Sequence, residues 1–138
     1  MSVREGTLIL LVFYLFIYME ILFILGRIIF GGYFLVMGIN HLFMKRMMLV
    51  EYSRSKGVPS PALAVVVTGI MLLLGGLGIL LWRYVEISSW LLIIFLLGTV
   101  FKMHNFWAVD ESQKMAEMTH FMKNVAFIGA LLILLSIY

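Results

Sequence analysis

Long uninterrupted apolar runs constrain this chain more than any other feature of its sequence. Hydrophobic residues make up 64% of its 138 residues and charged residues only 12%, whereas soluble domains carry about 25% charged residues. A transmembrane helix needs about 20 predominantly apolar residues, and four stretches of the chain supply them, at about 18–40, 61–82, 88–106 and 121–138. The runs do not alternate polar and apolar residues as barrel strands do. The pattern therefore predicts an all-α fold, an integral membrane four-helix bundle.

The first apolar segment is longer than one membrane crossing. A helix over the whole segment would reach about 50 Å, against about 30 Å of hydrocarbon. We therefore expect one crossing at about 18–40 and an N-terminal apolar extension at 1–19. The extension could project beyond the bilayer, lie in the interface or pack on a partner. Arg4 and Glu5 beside so long a run argue against a cleavable signal peptide, and 1–138 is expected to form a single transmembrane domain.

Polar residues gather in two short segments, 40–61 and 102–124, which four spans place on the same side of a bilayer. Seven of the ten Lys and Arg residues lie there, whereas the opposite side carries Arg4 and Arg83. The positive-inside rule therefore predicts a multi-pass cell-membrane protein with this polar face cytoplasmic and both termini external. Mixed basic and apolar residues at helical spacing predict short interfacial amphipathic helices in these cytoplasmic connections. The net charge of +3 reflects this asymmetry, so no nucleic-acid partner is expected.

Histidines on the polar face are the first candidates for ligand contacts. His41 and His104 could donate hydrogen bonds to the carbonyls of a quinone and exchange its protons, because imidazole titrates near neutral pH. Two histidines could instead ligate haem iron or another metal, or they could bond only to backbone and lipid headgroups. The sequence has no His-x₃-His pair and no carboxylate that we expect close to a histidine inside a span. A metal site is therefore not predicted, and quinone is favoured over haem.

Amide and aromatic side chains near the same span ends extend this candidate site. Asparagines there could orient a head group, or they could tie helices together by about 0.6–2 kcal/mol each. Trp107 could stack on a flat ring or anchor the chain at the interface. The full set of predicted ligand-binding residues is Asn40, His41, His104, Asn105, Trp107 and Asn124.

A separate pair of charges, Glu20 and Arg27, lies on one stripe of the first span. Arg27 could bind an anionic or quinone-like group. The favoured alternative is a structural buried charge that snorkels toward the external interface and meets Glu20 or a helix-end carbonyl. Gly31 and Gly38 continue the stripe and are expected to allow close helix packing. The chain has no cysteine, which excludes disulfides, iron–sulfur clusters and thiolate chemistry.

Several short motifs occur in an order that is similar to a known family. They are Gly26-Arg27, Gly38-Ile39-Asn40-His41, Lys56-Gly57-Val58-Pro59, Gly75-Gly76, His104-Asn105-Phe106-Trp107 and Lys123-Asn124-Val125-Ala126. Over about 25–135 the chain resembles the DoxX family of small four-helix membrane proteins. The resemblance implies an association with membrane redox chemistry, since the related DoxD branch contributes to a thiosulfate:quinone oxidoreductase and other relatives act in oxidative-stress complexes or as scaffolds.

One stretch departs from the family pattern. Family members often carry an acidic residue in the second span just before the paired glycines, but 68–74 has none here. Without that acid and without cysteine, thiosulfate oxidation by this chain alone is not expected. We expect a redox-associated subunit with a quinone head-group site, working as a homo-oligomer or with a partner redox subunit. The alternatives are a non-catalytic scaffold or accessory subunit, and a small-molecule or lipid carrier whose basic face attracts anionic membrane lipid.

Overall fold

The structure is a computed structural model that describes residues 3–138. The chain forms five α-helices: α1 Val3–Ile39, α2 Arg46–Ser55, α3 Pro61–Leu81, α4 Val85–Gly98 and α5 Glu111–Ile137. The described residues contain no strand. Four helical segments are long and apolar enough to cross a membrane. The predicted all-α membrane bundle is therefore confirmed.

The four long helices pack in sequence around one apolar core. α1 contacts α3, α3 contacts α4, and α4 contacts α5. Phe127 of α5 returns to α1, with its ring centroid 5.9 Å from that of Phe30. The buried residues at the centre are Phe34, Leu72, Ile79, Val85, Leu92, Ile93, Leu96 and Leu131. Because lipid tails are as apolar as these side chains, close packing rather than water exclusion holds such a bundle together.

The N-terminal half of α1 extends beyond the bundle. Every residue from Leu8 to Leu22 is exposed, and a helix of 37 residues is about 55 Å long at ~1.5 Å per residue. The stretch that the sequence suggests as an extension therefore continues the first span as one unbroken helix. The helix is continuous across the boundary expected near residue 18, and the position of the membrane edge along α1 stays a prediction.

α1 and α3 approach each other at the level of their backbones. A Cβ atom on Gly31 would lie 2.7 Å from the Leu80 nitrogen, and one on Gly76 would lie 2.8 Å from the Gly31 oxygen. Neither space admits a methyl group unless one helix moves. The glycines thus fix the spacing of the two helices, as small residues do at membrane helix interfaces.

Irregular backbone concentrates at one end of the bundle, which we call the polar end. α1 and α4 each continue into a π-helical turn, Asn40–Met44 and Thr99–Met103. π-helical turns are rare in proteins overall, but those that occur are often found at functional sites. The first leads into α2, which ends near Gly57 at a φ of +67°, a conformation that glycine adopts readily. α2 is the expected short helix in the first connection, whereas in the second the polar residues belong to the first turns of α5.

Replacing Gly31 by alanine is expected to destabilise the bundle by about 1–3 kcal/mol, the usual cost of overpacking. Gly26→Ala is the matched control, because it lies on the same helix and nothing stands within 4 Å of its Cβ position. The stabilities of the two variants and the unaltered protein are compared by thermal unfolding in the same detergent, with size-exclusion chromatography measuring how much folded protein remains. Equal stability of the two variants would contradict the backbone contact between α1 and α3.

Candidate functional site

A buried carboxylate organises the polar end. Glu117 lies in the first part of α5, and its side chain is only 11% exposed. Its Oε1 accepts hydrogen bonds from Lys56 Nζ at 2.8 Å and from the Tyr52 hydroxyl at 3.2 Å. Its Oε2 accepts one from His104 Nδ1 at 2.7 Å. We call these four residues the Glu117 cluster. It joins α2, the end of α4 and α5.

The cluster compensates the cost of removing a carboxylate from water. An unpaired buried charge costs several kcal/mol, and an ion pair offsets this only when the remaining lone pairs are also bonded. Lys56, 14% exposed, supplies the opposite charge, and its Nζ lies 5.5 Å from the Tyr52 ring centroid. Because Lys56 balances Glu117, a neutral His104 leaves the cluster without net charge.

Tyr52 is a fixed donor in this cluster. Burial, together with the adjacent Glu117 charge, raises the pKa of Tyr52 to about 12. The phenol therefore keeps its proton throughout the physiological pH range. A protonated phenol can give its single O–H to the Glu117 carboxylate, so Tyr52 connects α2 to α5 under all ordinary conditions.

The two histidines named by the sequence each use the same ring nitrogen. His41 Nδ1 lies 2.8 Å from the Met37 carbonyl oxygen, and His104 Nδ1 lies 2.7 Å from Glu117 Oε2. Since both partners are acceptors, Nδ1 carries the proton, and in a neutral ring Nε2 is left as an acceptor. Either ring would have to be protonated before it could donate to a quinone carbonyl.

A cavity of about 1470 Å³ opens between the helices at the polar end. Apolar side chains such as Met37, Met71 and Phe95 line one part of it, and the Glu117 cluster lines another. Binding pockets for small organic molecules usually measure about 300–1,000 Å³. The cavity therefore has room for a head group and for the first part of an attached chain.

Four of the six ligand-binding residues predicted from the sequence line the cavity. His41, His104, Asn105 and Asn124 line it, although they come from three separate stretches of the chain. Asn40 is not among the lining residues. A ligand-binding role for all six residues stays a prediction, and four of them lie on the wall of the cavity.

Trp107, the sixth residue of that set, packs elsewhere. It is 55% exposed and is not among the lining residues of the cavity. Its ring lies edge-on against Phe106 and Phe121, with ring centroids 5.2 and 5.9 Å away. This aromatic cluster is typical of side chains that sit at a membrane interface.

Arg27 lies toward the opposite end of the bundle. Its guanidinium carbon is 5.4 Å from the Phe23 ring centroid, and Phe23 in turn packs on Trp82 at the end of α3. No ion pair with Glu20 is formed among the described residues. Seven residues of helix separate the two charges by about 10 Å along the axis, which explains why Arg27 packs on an aromatic ring instead.

Sequence reasoning missed Glu117 and Tyr52. The expectation that no carboxylate stands close to a histidine inside a span is wrong, because Glu117 bonds His104 directly. One signal was present: Glu117 precedes His120 by three residues and so shares its helix face. The stacking of His120 on His104, with ring centroids 4.9 Å apart, depends on the fold. Within residues 3–138 no group of three or more His, Asp or Glu residues has the arrangement of a metal site.

These features define an integral, multi-pass membrane bundle with one open, polar end. Residues 21–105 match the DoxX family, and the chain belongs to that family. It is 32% identical over 85 residues to the "Inner membrane protein YphA" of Escherichia coli (strain K12), a match that covers 62% of this chain and 61% of that relative. The chain thus spans less than two thirds of the relative's length. No solved structure matches it. Glu117 lies outside the residues matched to the family.

A double-mutant cycle on Glu117 and Lys56 is expected to show strong coupling. Glu117→Leu leaves the Lys56 ammonium buried without its partner, which should cost about 3–5 kcal/mol. Adding Lys56→Met should recover part of this loss, giving a coupling of about 1–3 kcal/mol. Denaturant unfolding in mild detergent supplies the four stabilities.

The exposed pair Glu111 and Lys114 is the matched control for this cycle. Its atoms lie 3.3 Å apart with side chains 88% and 47% exposed, and exposed pairs of this kind contribute at most about 0.5 kcal/mol. Equal coupling in the two cycles would show that Glu117 is not held as a buried ion pair.

Proposed function

We propose that this chain is a redox-associated membrane subunit whose polar-end cavity binds the head group of a quinone. The observation that carries the proposal is the short hydrogen bond between His104 and Glu117 on the cavity wall. A histidine held by a carboxylate is a common arrangement for moving protons at neutral pH. Membership of the DoxX family supports a redox setting, because the resemblance implies an association with such chemistry.

The site is suited to the proton side of quinone chemistry. A quinone becomes a quinol by taking up two electrons and two protons, and the reverse step releases both. His41 and His104 would exchange the protons, and Glu117 would hold the His104 ring in place. The electrons would pass to or from a partner redox subunit, because the chain has no cysteine and its residues include no electron carrier.

The remaining walls suit the rest of such a ligand. Met37, Met71 and Phe95 are partly exposed and offer apolar surface to a flat ring or to the start of an isoprenoid tail. Asn105 and Asn124 offer amides that could orient the ring substituents. An apolar cavity with a few convergent polar groups is the usual form of a binding site for a small organic molecule.

Two other functions each have one supporting observation. Lys102 and Lys123 are exposed and line the cavity, which favours a carrier for an anionic molecule or lipid headgroup. The exposed apolar surface from Leu8 to Leu22 favours an accessory subunit that contacts a partner membrane protein or a second copy of the chain. Neither observation accounts for the buried Glu117 cluster, so the quinone site is preferred.

We also propose that the polar end faces the cytoplasm, from the excess of Lys and Arg in its connections. The chain has no cysteine, so a thiol-reactive reagent can label only a cysteine that is introduced, and its labelling reports topology. Glu86→Cys, at the opposite end, should react with a membrane-impermeant maleimide in intact cells. Gln113→Cys, at the polar end, should react only after the membrane is opened. The reverse pattern would contradict the orientation.

A short-chain quinone that carries a photoreactive azido group is expected to label the cavity saturably in lipid nanodiscs. Labelled peptides should come from 41–56 and 99–124, which contain its polar walls. When the probe is reduced to its quinol, His104→Gln and His41→Gln should each weaken binding about two- to tenfold, because each removes an Nε2 acceptor and a net hydrogen bond contributes about 0.5–1.5 kcal/mol. Mass spectrometry of the photolysed protein gives both the sites and the saturation curve.

Glu86→Gln is the control for these histidine variants, because Glu86 is exposed at the opposite end of the bundle. It should leave the saturation curve unchanged. Labelling that rises linearly with quinone concentration and spreads over lipid-facing residues would contradict the proposed function.

A further inference from the structure

Arg27 carries a positive charge that no residue between 3 and 138 balances. Arginine keeps its charge in proteins, and Arg27 lies partly buried within the apolar helix α1. In that part of the chain it makes no hydrogen bond and no ion pair. We infer that Arg27 binds the phosphate group of a membrane phospholipid. The quinone site lies at the polar end, so this inference does not depend on it.

Two of the three guanidinium nitrogens of Arg27 are open to a ligand. Nε is closed off from the surface and has no hydrogen-bond partner among the described residues. Nη1 and Nη2 are not closed off in this way. The guanidinium carbon lies 5.4 Å from the centroid of the Phe23 ring, which supports one face of the group. The two outer nitrogens can therefore donate two parallel N–H bonds to a phosphate, the geometry that arginine favours.

Arg27 lies close to the level at which the rest of the bundle ends. One turn away on α1, the Cβ position of Gly31 is 2.7 Å from the backbone nitrogen of Leu80, at the end of α3. The turn between α3 and α4 follows, and it carries Arg83, which is exposed, as is Glu86 just after it. Exposed charges belong outside the hydrocarbon of a bilayer. The headgroups of this leaflet are therefore within reach of Arg27.

Aromatic side chains mark the same level. The Trp82 ring packs edge-on against Phe23, with ring centroids 4.4 Å apart, and against Tyr138 at 5.7 Å. Tryptophan and tyrosine concentrate where hydrocarbon meets headgroups. The Trp82 indole makes no hydrogen bond among the described residues, and its N–H is a donor only. The neighbourhood of Arg27 thus offers donors to an anion.

The surface beside Arg27 favours a lipid phosphate over a free one. Ile24, Leu25 and Ile28 adjoin Arg27 on α1 and are exposed. A free phosphate would have to lose much of its hydration to reach a cation set in apolar surface, and removing an ion from water is costly. A phospholipid carries its phosphate directly above acyl chains that can cover these side chains. The ligand is therefore a phospholipid, recognised by the phosphate that all its common classes share.

Solid-state NMR of the full chain, labelled with carbon-13 at the guanidinium carbon of arginine, tests the contact in phosphatidylcholine bilayers. The Arg27 signal is assigned by its loss in Arg27→Lys. Phosphorus-31 should dephase this signal as expected for a carbon within about 5 Å of phosphorus, the reach of a direct N–H to oxygen bond. The second arm uses bilayers of a galactolipid, which has no phosphorus, with inorganic phosphate in the buffer. There the dephasing should disappear.

Thermal unfolding in a maltoside detergent gives an independent measure of binding. Phosphatidylcholine added to the micelles should raise the midpoint of the unaltered chain, because a ligand that binds only the folded state stabilises it. Diacylglycerol with the same acyl chains should raise it less. In Arg27→Met the difference between the two lipids should fall by at least half. Arg83→Gln is the matched control, since it removes an exposed charge at the same end and should keep the full difference.

Three results would overturn the lipid site. The first is an Arg27 signal that phosphorus-31 does not dephase in phosphatidylcholine bilayers. The second is equal dephasing by inorganic phosphate in the galactolipid, which would assign Arg27 to a free anion. The third is an Arg27→Lys or Arg27→Met variant that responds to the two lipids as the unaltered chain does. Arg27→Lys keeps the charge but loses the planar fork, so an intermediate response from it supports the site.

Discussion

The buried carboxylate of Glu117 is the constraint on which the polar end depends. A carboxylate at the edge of an apolar bundle needs an opposite charge and several donors, and only residues from different helices can supply them. Lys56 follows α2, Tyr52 lies within α2, and His104 follows the π-helical turn at the end of α4. Meeting these requirements brings α2 and the end of α4 to α5, and the cavity is the space that this arrangement encloses.

Packing elsewhere in the bundle positions the groups at the polar end. Gly31 and Gly76 let α1 and α3 touch at the backbone, which fixes the height of His41 at the end of α1. The π-helical turns Asn40–Met44 and Thr99–Met103 then set the directions in which the chain leaves the two helices. Close packing at one level therefore positions the hydrogen-bonding groups at another, and both follow from the limited ways in which membrane helices can be joined.

Much of the fold was predictable from the sequence. The apolar runs are long, and hydrophobic length alone predicts membrane helices. The grouping of His41, His104, Asn105 and Asn124 was predictable for the same reason, because span ends on one side of a bilayer must lie near each other. Their neighbour Trp107 shows the limit: sequence places it at the same membrane level but does not determine whether it turns toward the cavity or toward the interface.

Other features depended on tertiary structure. Glu117 looks like an ordinary helix-surface acid in sequence, and only the fold shows that Tyr52, Lys56 and His104 converge on it. The π-helical turns leave no clear mark in the sequence.

The central claim is that Glu117 holds His104, a residue of the cavity wall, as the Nδ1–H tautomer and so leaves Nε2 as the acceptor of the ring. Nitrogen-15 NMR of ring-labelled histidine measures this directly, with His104→Gln giving the assignment and the sample kept well above the ordinary imidazole pKa of ~6.5. The account predicts a protonated Nδ1 and an unprotonated Nε2 for His104, with a change in that pattern in Glu117→Leu, which removes the acceptor. An Nε2–H ring in the unaltered protein, or a pattern that Glu117→Leu leaves untouched, would contradict it.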